Sequence, residues 1–165
     1  AAVYASDIQN YMMLVPSGEE NEEGFPIQLH QATRASLWGA DVNAVWVPRW
    51  AVKWSMHTAL SVVHSRDAEG EELPWTPPAT GRWELRRSWA HVKEGSGLAS
   101  LVLEASRDAV LLHASTSWNL GQRTTLNAQV INVTNQTYVP TLSLLRNLGI
   151  AEPGRNVRLQ VVYAW

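Results

Sequence analysis

The stretch WVPRWAVKWSMHTALSVV, which runs from Trp46 to Val63, decides the fold class of this chain. From Trp46 onward its alternate positions are almost all apolar, whereas most of the intervening positions are small or polar. Alternate side chains leave opposite faces of a β-strand, so this period of two predicts a strand with three tryptophans on one face. Trp46, Trp50 and Trp54 also fit helical spacing, but Pro48 would interrupt a helix that spanned all three.

The length of this stretch predicts an interruption. A straight strand of this length would measure about 50 Å at roughly 3.3 Å per residue, about twice the usual strand. We therefore expect the chain to bend, bulge or split near Pro48, with a continuous strand from about Arg49 to His64.

The tryptophan stripe has two interpretations. Aromatic rings carry large apolar areas and the stripe is flanked by aliphatic residues, which favours a hydrophobic core over an exposed platform for sugars. The last residues of the chain, Asn156 to Trp165, show the second clear period of two. We expect the core side of the long strand to face this terminal strand. The predicted pairing sets Trp50, Trp54 and Met56 against Leu159, Val161 and Tyr163.

Further strands are predicted along the whole chain by alternation, short apolar runs and turn signals. They span Tyr4 to Val15, Phe25 to Leu29, Ala35 to Trp38, Arg82 to His91, Leu98 to Glu104, Ala109 to His113 and Thr124 to Thr134. Turns are predicted at Gly39 to Asn43 and at Gly95 to Gly97. Pro140 to Leu148 changes to a spacing of three, followed by Gly149, which predicts one short helix or helical turn.

These elements predict an all-β fold in a single domain over residues 1–165. About eight strands with at most one short helix indicate an antiparallel barrel or sandwich, and we favour a jelly-roll-like arrangement. An immunoglobulin-like sandwich is less favoured because the chain has no cysteine for its characteristic disulfide.

Composition argues against several functions. The net charge is −2 and the densest basic cluster is only Arg82, Arg86 and Arg87, so direct nucleic-acid binding is not expected. No nucleophile elbow, phosphate-binding loop or dinucleotide fingerprint is present, and we predict neither an enzyme nor a cofactor. The sequence contains no run of 18 apolar residues, so no membrane-spanning helix is predicted.

Residues that commonly bind metals are scattered. His57 and His64 are expected on opposite faces of one strand, so they are not expected to share a metal. The segment from Asp67 to Glu72 superficially resembles a calcium loop but lacks the EF-hand spacing, and we interpret it as a solvated acidic loop. No catalytic, metal or cofactor residue is therefore predicted.

Three tryptophans are candidate contacts with a second subunit or a ligand. Trp75 lies in a proline-rich loop, where it either plugs the end of a barrel or anchors a neighbouring chain. Trp38 and Trp165 are the other two candidates.

The alternating strands from Arg49 to His64 and from Asn156 to Trp165, together with the count of about eight strands, resemble single jelly-roll viral capsid proteins. The size, the absence of cysteine and the arginine bias are similar to the small major capsid proteins of tailless, membrane-containing icosahedral phages. The resemblance implies a virion location, self-assembly into a homo-oligomer, contact with a second capsid protein and proximity to an internal viral membrane.

The alternative function is a secreted or cell-surface domain that binds glycans or a receptor, with exposed tryptophans stacking on sugar rings. The two functions differ in where the tryptophans lie. Carbohydrate binding predicts tryptophans open to solvent, whereas a capsid subunit predicts tryptophans buried in the core or between subunits.

Overall fold

The computed structural model describes residues 1–91 and 95–165. Eight strands form one antiparallel sheet, and each strand pairs with its neighbours in sequence, so that the order runs from β1 to β8. The strands are β1 (Ala2–Glu20), β2 (Pro26–Trp46), β3 (Trp54–Asp67), β4 (Thr80–His91), β5 (Gly95–Ser106), β6 (Val110–Leu120), β7 (Thr124–Ile131) and β8 (Asn156–Tyr163). In the described residues no helix is long and apolar enough to cross a membrane.

The predicted all-β class and the count of about eight strands are confirmed. The sheet is not closed, and its strand order is a simple meander. A jelly roll places strands that are distant in sequence side by side, so the connectivity differs from the jelly-roll arrangement we favoured. The predicted helical turn is present as one 3₁₀ helix, Arg146–Leu148, which ends at Gly149 in the left-handed conformation.

The stretch from Trp46 to Val63 is a hairpin and not one strand. Strand β2 ends at Trp46 and β3 begins at Trp54. Two successive turns join them, because the N–H of Ala51 donates to the carbonyl of Pro48 (3.0 Å) and the N–H of Trp54 donates to that of Ala51 (2.8 Å). The expected split near Pro48 is thus present, but the predicted start of the strand at Arg49 is wrong by five residues.

The predicted core is wrong. Strand β3 pairs with β2 and β4, whereas β8 lies at the edge of the sheet beside β7, so Trp54 and Met56 cannot contact Leu159 or Val161. Trp50 lies in the turn and is 85% exposed. The buried apolar side chains among the described residues are Ala35, Leu73, Val102, Ala109 and Leu111. Five such residues do not make a core, because within the described residues no second layer of structure packs on this single sheet.

Two predicted turns are interior parts of strands. Gly39 lies within β2, where a Cβ would come within 2.5 Å of the Tyr4 ring. Gly97 lies within β5, where a Cβ would come within 2.2 Å of the Trp89 ring. Each glycine makes room for an aromatic ring from the adjacent strand, so its role is cross-strand packing rather than a change of chain direction.

Candidate functional site

One side of the sheet, which we call the apolar face, carries large hydrophobic side chains across β2 to β8. The strand register places these residues in continuous rows, because directly paired residues project to the same side. Its larger members are Val42, Trp46, Trp54, Met56, Leu60, Trp83, Leu85, Trp89, Leu101, Leu103, Leu112, Trp118, Leu126, Leu159, Val161 and Tyr163. Leu101 in the middle of the sheet is 46% exposed and Leu159 on the edge strand is 79% exposed. An exposed apolar surface of this extent is typical of a site that contacts another protein, a ligand or a membrane.

Aromatic residues gather at one end of the apolar face. This end holds the turns 47–53 and 121–123, and we call it the short-turn end. The five residues of this aromatic belt are Trp46, Trp54, Trp89, Trp118 and Tyr163. Gly97 pairs with both Trp89 and Trp118, so the two indoles flank one glycine in a single row.

The opposite side, the polar face, carries hydroxyl, amide and charged side chains. Its polar members include Asn43, Ser55, His57, Arg82, Glu84, Arg86, Ser100, Glu104, His113, Ser115, Asn127, Gln129, Arg158 and Gln160. Two hydroxyls on neighbouring strands, Ser100 and Ser115, form a hydrogen bond of 2.8 Å. The sheet is therefore two-faced over most of its width.

A charged network runs across β4, β5 and β6 on the polar face. Arg86 donates through Nε and Nη2 to the two carboxylate oxygens of Glu84, at 2.8 and 2.9 Å. Arg82 binds Glu104 and also lies 3.6 Å from Glu84. Each carboxylate in this network is thus paired with at least one guanidinium. Paired charges tolerate a partly dehydrated environment better than isolated charges do.

His113 ends the network. Its Nδ1 accepts a hydrogen bond from the backbone N–H of Asn132 (3.2 Å), which places the proton of a neutral ring on Nε2. That Nε2 is buried without a hydrogen-bond partner and lies 3.5 Å from a carboxylate oxygen of Glu104. Beside it is a shallow cavity of about 290 Å³ lined by Arg82, Glu104 and Ser115 among others.

The other end of the sheet, the long-loop end, holds residues 21–25, 68–79, 107–109 and 132–155. Ten of the 15 acidic residues lie at or beside it, namely Glu19, Glu20, Glu22, Glu23, Asp67, Glu69, Glu71, Glu72, Asp108 and Glu152. The two described turns at the short-turn end contain Arg49, Lys53 and Arg123 and no acidic residue. Within the described residues, the sheet is thus acidic at one end and basic at the other.

The longest loop, residues 132–155, is held in place by two side chains, one of its own and one from the loop 107–109. Asn132 is 2% exposed, and its amide bonds both the N–H (2.9 Å) and the carbonyl (2.8 Å) of Gln136. Asp108 accepts a hydrogen bond from the backbone N–H of Thr141 (2.7 Å) and another from its hydroxyl. Burial alone would raise the pKa of Asp108, but the two bonds from Thr141 together with the nearby charges of Arg107 and Arg146 outweigh burial, and the pKa is lowered.

The three tryptophans predicted as contact residues do not form one site. Trp75 lies in the loop 68–79 with φ of 67° and is half exposed. Trp38 lies in β2 and stacks on His64 with 4.3 Å between ring centroids. Trp165 lies beyond the end of β8 and is fully exposed. His57 and His64 are on opposite faces, as expected.

Sequence reasoning missed both surfaces that dominate the structure. The aromatic belt and the charged network each combine residues from at least three strands, so they become visible only once the register is known. The available signal was the alternation itself: strand after strand has one apolar and one polar side, and no predicted element is left over to cover the apolar side.

Comparisons with known proteins add one structural relationship. No protein-family model matches the chain, and no curated protein matches it. Among solved structures, the copper transporter OprC matches 99% of this chain with a TM-score of 0.78 and 15% sequence identity. The chain spans 28% of the length of OprC. At this identity the likeness shows the fold alone.

Proposed function

We propose that this chain forms part of the wall of a membrane-spanning β-barrel transporter, with its apolar face toward lipid and its polar face toward the interior. The observation that carries the proposal is the continuous, half-exposed apolar face, which the aromatic belt borders at its short-turn end. Barrels of the outer-membrane type show this arrangement: an apolar band, aromatic residues at its borders and polar side chains inside.

The dimensions of the apolar face support the proposal. Trp38 and Trp46 border it on β2, and Trp54 and His64 border it on β3. At about 3.3 Å per residue these segments measure about 26 and 33 Å along the strands. A strand tilt of about 40° would reduce those lengths to about 20 and 25 Å, which fits a lipid-facing band of about 25 Å.

The loops are also of the expected kind. Barrels in outer membranes have short turns on one side and longer loops on the other. Here the described turns 47–53 and 121–123 lie at one end, and the two longest loops, 68–79 and 132–155, lie at the other end beside the shorter connections 21–25 and 107–109.

The open edges support a larger barrel. Within the described residues β1 pairs only with β2 and β8 only with β7, so each edge strand has one side without a partner. In lipid, backbone N–H and C=O groups need internal partners, and only closed barrels and helices meet this need. We therefore infer that further strands pair with β1 and β8. OprC is a β-barrel in which the matched part is about a quarter of the chain.

The capsid and carbohydrate-binding functions stay predictions. The tryptophans are not buried within this chain, so a capsid subunit would have to bury them against other subunits. Exposure alone agrees with sugar binding, but the tryptophans of the belt lie among aliphatic side chains on an open sheet. Lipid accounts for the whole apolar face, whereas sugar stacking accounts only for its aromatic members.

The chain has no cysteine, so a single introduced cysteine reports on one position only. The test attaches a nitroxide to Leu126→Cys on the apolar face or to Asn127→Cys on the polar face, in the barrel reconstituted in phosphatidylcholine vesicles with the strands that pair with β1 and β8 present. We expect the label at 126 to be relaxed mainly by oxygen, which concentrates in lipid, and the label at 127 mainly by a water-soluble nickel chelate. Equal response at the two positions would contradict the proposal, and a label at 126 that neither reagent reaches would favour burial between protein subunits.

A further inference from the structure

Arg87 is a cation on the apolar face, within the aromatic belt. It pairs directly with Trp54 on the neighbouring strand, and its guanidinium carbon lies 5.4 Å from the centroid of the Trp54 ring. Trp89 follows on the same face of β4. The ring stabilises the cation electrostatically, while the N–H groups of the guanidinium remain able to donate.

Arg87 differs from the paired arginines of the sheet. Arg34 binds Asp7, Arg82 binds Glu104 and Arg86 binds Glu84. In residues 1–91 and 95–165 no carboxylate oxygen lies within 4.0 Å of the Arg87 side chain. Among the described residues, its guanidinium is therefore not occupied by a carboxylate and can accept an anion.

The surroundings of Arg87 are basic. Arg49 and Lys53 lie in the adjoining turn 47–53, which has no acidic residue. The backbone of Lys53 is fixed beside the strand of Arg87, because the N–H of Ser88 donates to the Lys53 carbonyl at 2.8 Å. This end of the sheet is therefore complementary to an anion, while the acidic long-loop end is not.

We propose that Arg87, seated on Trp54, binds the phosphate of an anionic phospholipid headgroup in the membrane leaflet at the short-turn end. The planar guanidinium can donate two parallel hydrogen bonds to phosphate oxygens. Tryptophans of the belt lie at headgroup depth, so an arginine among them meets lipid phosphate without entering the hydrocarbon. A bilayer lipid, rather than free phosphate, is the occupant because the site lies on the face that carries the leucines. The inference rests on the proposed membrane-spanning function.

The experiment measures lipid binding to the full chain by native mass spectrometry, with equal amounts of phosphatidylglycerol and phosphatidylcholine added to the detergent-solubilised protein. Arg87→Gln removes the cation that lies within the aromatic belt, and Arg158→Gln is the matched control on the polar face. We expect Arg87→Gln to lower phosphatidylglycerol association about fivefold, as the loss of one basic contact near an anionic surface implies. Phosphatidylcholine association should stay unchanged. Arg87→Lys keeps the charge and should retain more than half of the preference.

Three results would overturn the inference. They are an equal loss in Arg87→Gln and Arg158→Gln, no loss in either variant, and displacement of phosphatidylglycerol by millimolar inorganic phosphate, which would indicate a general anion site. Circular dichroism of each variant shows whether the sheet is intact. The nitroxide labels at positions 126 and 127 separate the two proposals, because correct labelling with no phosphatidylglycerol preference refutes only the lipid site.

Discussion

Replacing Leu101 by arginine tests what covers the apolar face. Leu101 lies in the middle of β5, between Leu85 on β4 and Ala114 on β6, and is 46% exposed. An arginine at the midplane of a lipid-facing strand costs about 2–4 kcal/mol of unfolding free energy, whereas one near the interface costs about 0–1 kcal/mol. We therefore expect Leu101→Arg to destabilise the protein by about 3 kcal/mol when the apolar face contacts lipid.

Two companion variants turn this value into a depth profile. Ala105→Arg lies on the same face and strand, about 13 Å nearer the long-loop end at 3.3 Å per residue, and should cost about 1 kcal/mol or less. Ser100→Arg lies on the polar face and loses only the hydrogen bond to Ser115, about 1 kcal/mol.

The assay is reversible guanidinium unfolding of the full chain in phosphatidylcholine vesicles, followed by tryptophan fluorescence. Lipid contact predicts a cost at Leu101 that exceeds the cost at Ala105 by about 2 kcal/mol. If water covered this face, both substitutions would change stability by less than about 0.5 kcal/mol, since exposed positions tolerate charge. If a second protein layer covered it, both would bury an unpaired charge at similarly high cost. Either of these two results would refute the lipid-facing assignment.

Three further predictions concern the loops and turns. The pKa of Asp108 is lowered in the folded protein, so its bonds to Thr141 stabilise the loop 132–155 fully above the ordinary carboxyl pKa of 3.8. This stabilisation is lost as the pH falls through the lower folded pKa. Hydrogen exchange of the loop should therefore speed up below about pH 4, and Asp108→Asn should remove that pH dependence. Gly95→Ala should cost about 3 kcal/mol or more in thermal unfolding, because φ is 91° there and the added Cβ would lie 1.9 Å from the backbone oxygen of Asn119. Gly121 has φ of 67° but no atom within 4 Å of such a Cβ, so Gly121→Ala should cost only about 1 kcal/mol. Asn132→Ala should cost about 1–2 kcal/mol in chemical unfolding because it leaves two part-buried backbone groups of Gln136 without their partner, and a loss below about 0.5 kcal/mol would show that water replaces the amide.

The local pattern was readable from the sequence, while its environment was not. The alternation around Trp54 and Met56 predicted a strand with one apolar side, and that is what β3 has. We assigned this side to a core because we assumed a water-soluble protein. In such a protein an apolar face has to pack against another part of the same chain. The periodicity is identical when the covering material is lipid, so the pattern alone does not choose between the two.

Glycine misled the prediction of strand boundaries for a physical reason. Gly39 and Gly97 resemble turn positions when only their neighbours in sequence are considered. The structure shows that each lies beneath a ring on the adjacent strand, Tyr4 and Trp89 respectively. Such a requirement comes from residues distant in sequence, as do the contacts of Arg82 and Glu104, and it depends on a register that the alternation does not specify.

The even number of strands has a consequence for how such a sheet can change over time. Strand β1 starts, and β8 finishes, at the short-turn end, because a meander of eight strands returns to the side from which it began. Any hairpin within it can be duplicated or deleted without inverting the strands that follow. The width of such a sheet can thus change in steps of two strands, while each remaining loop keeps its end of the sheet.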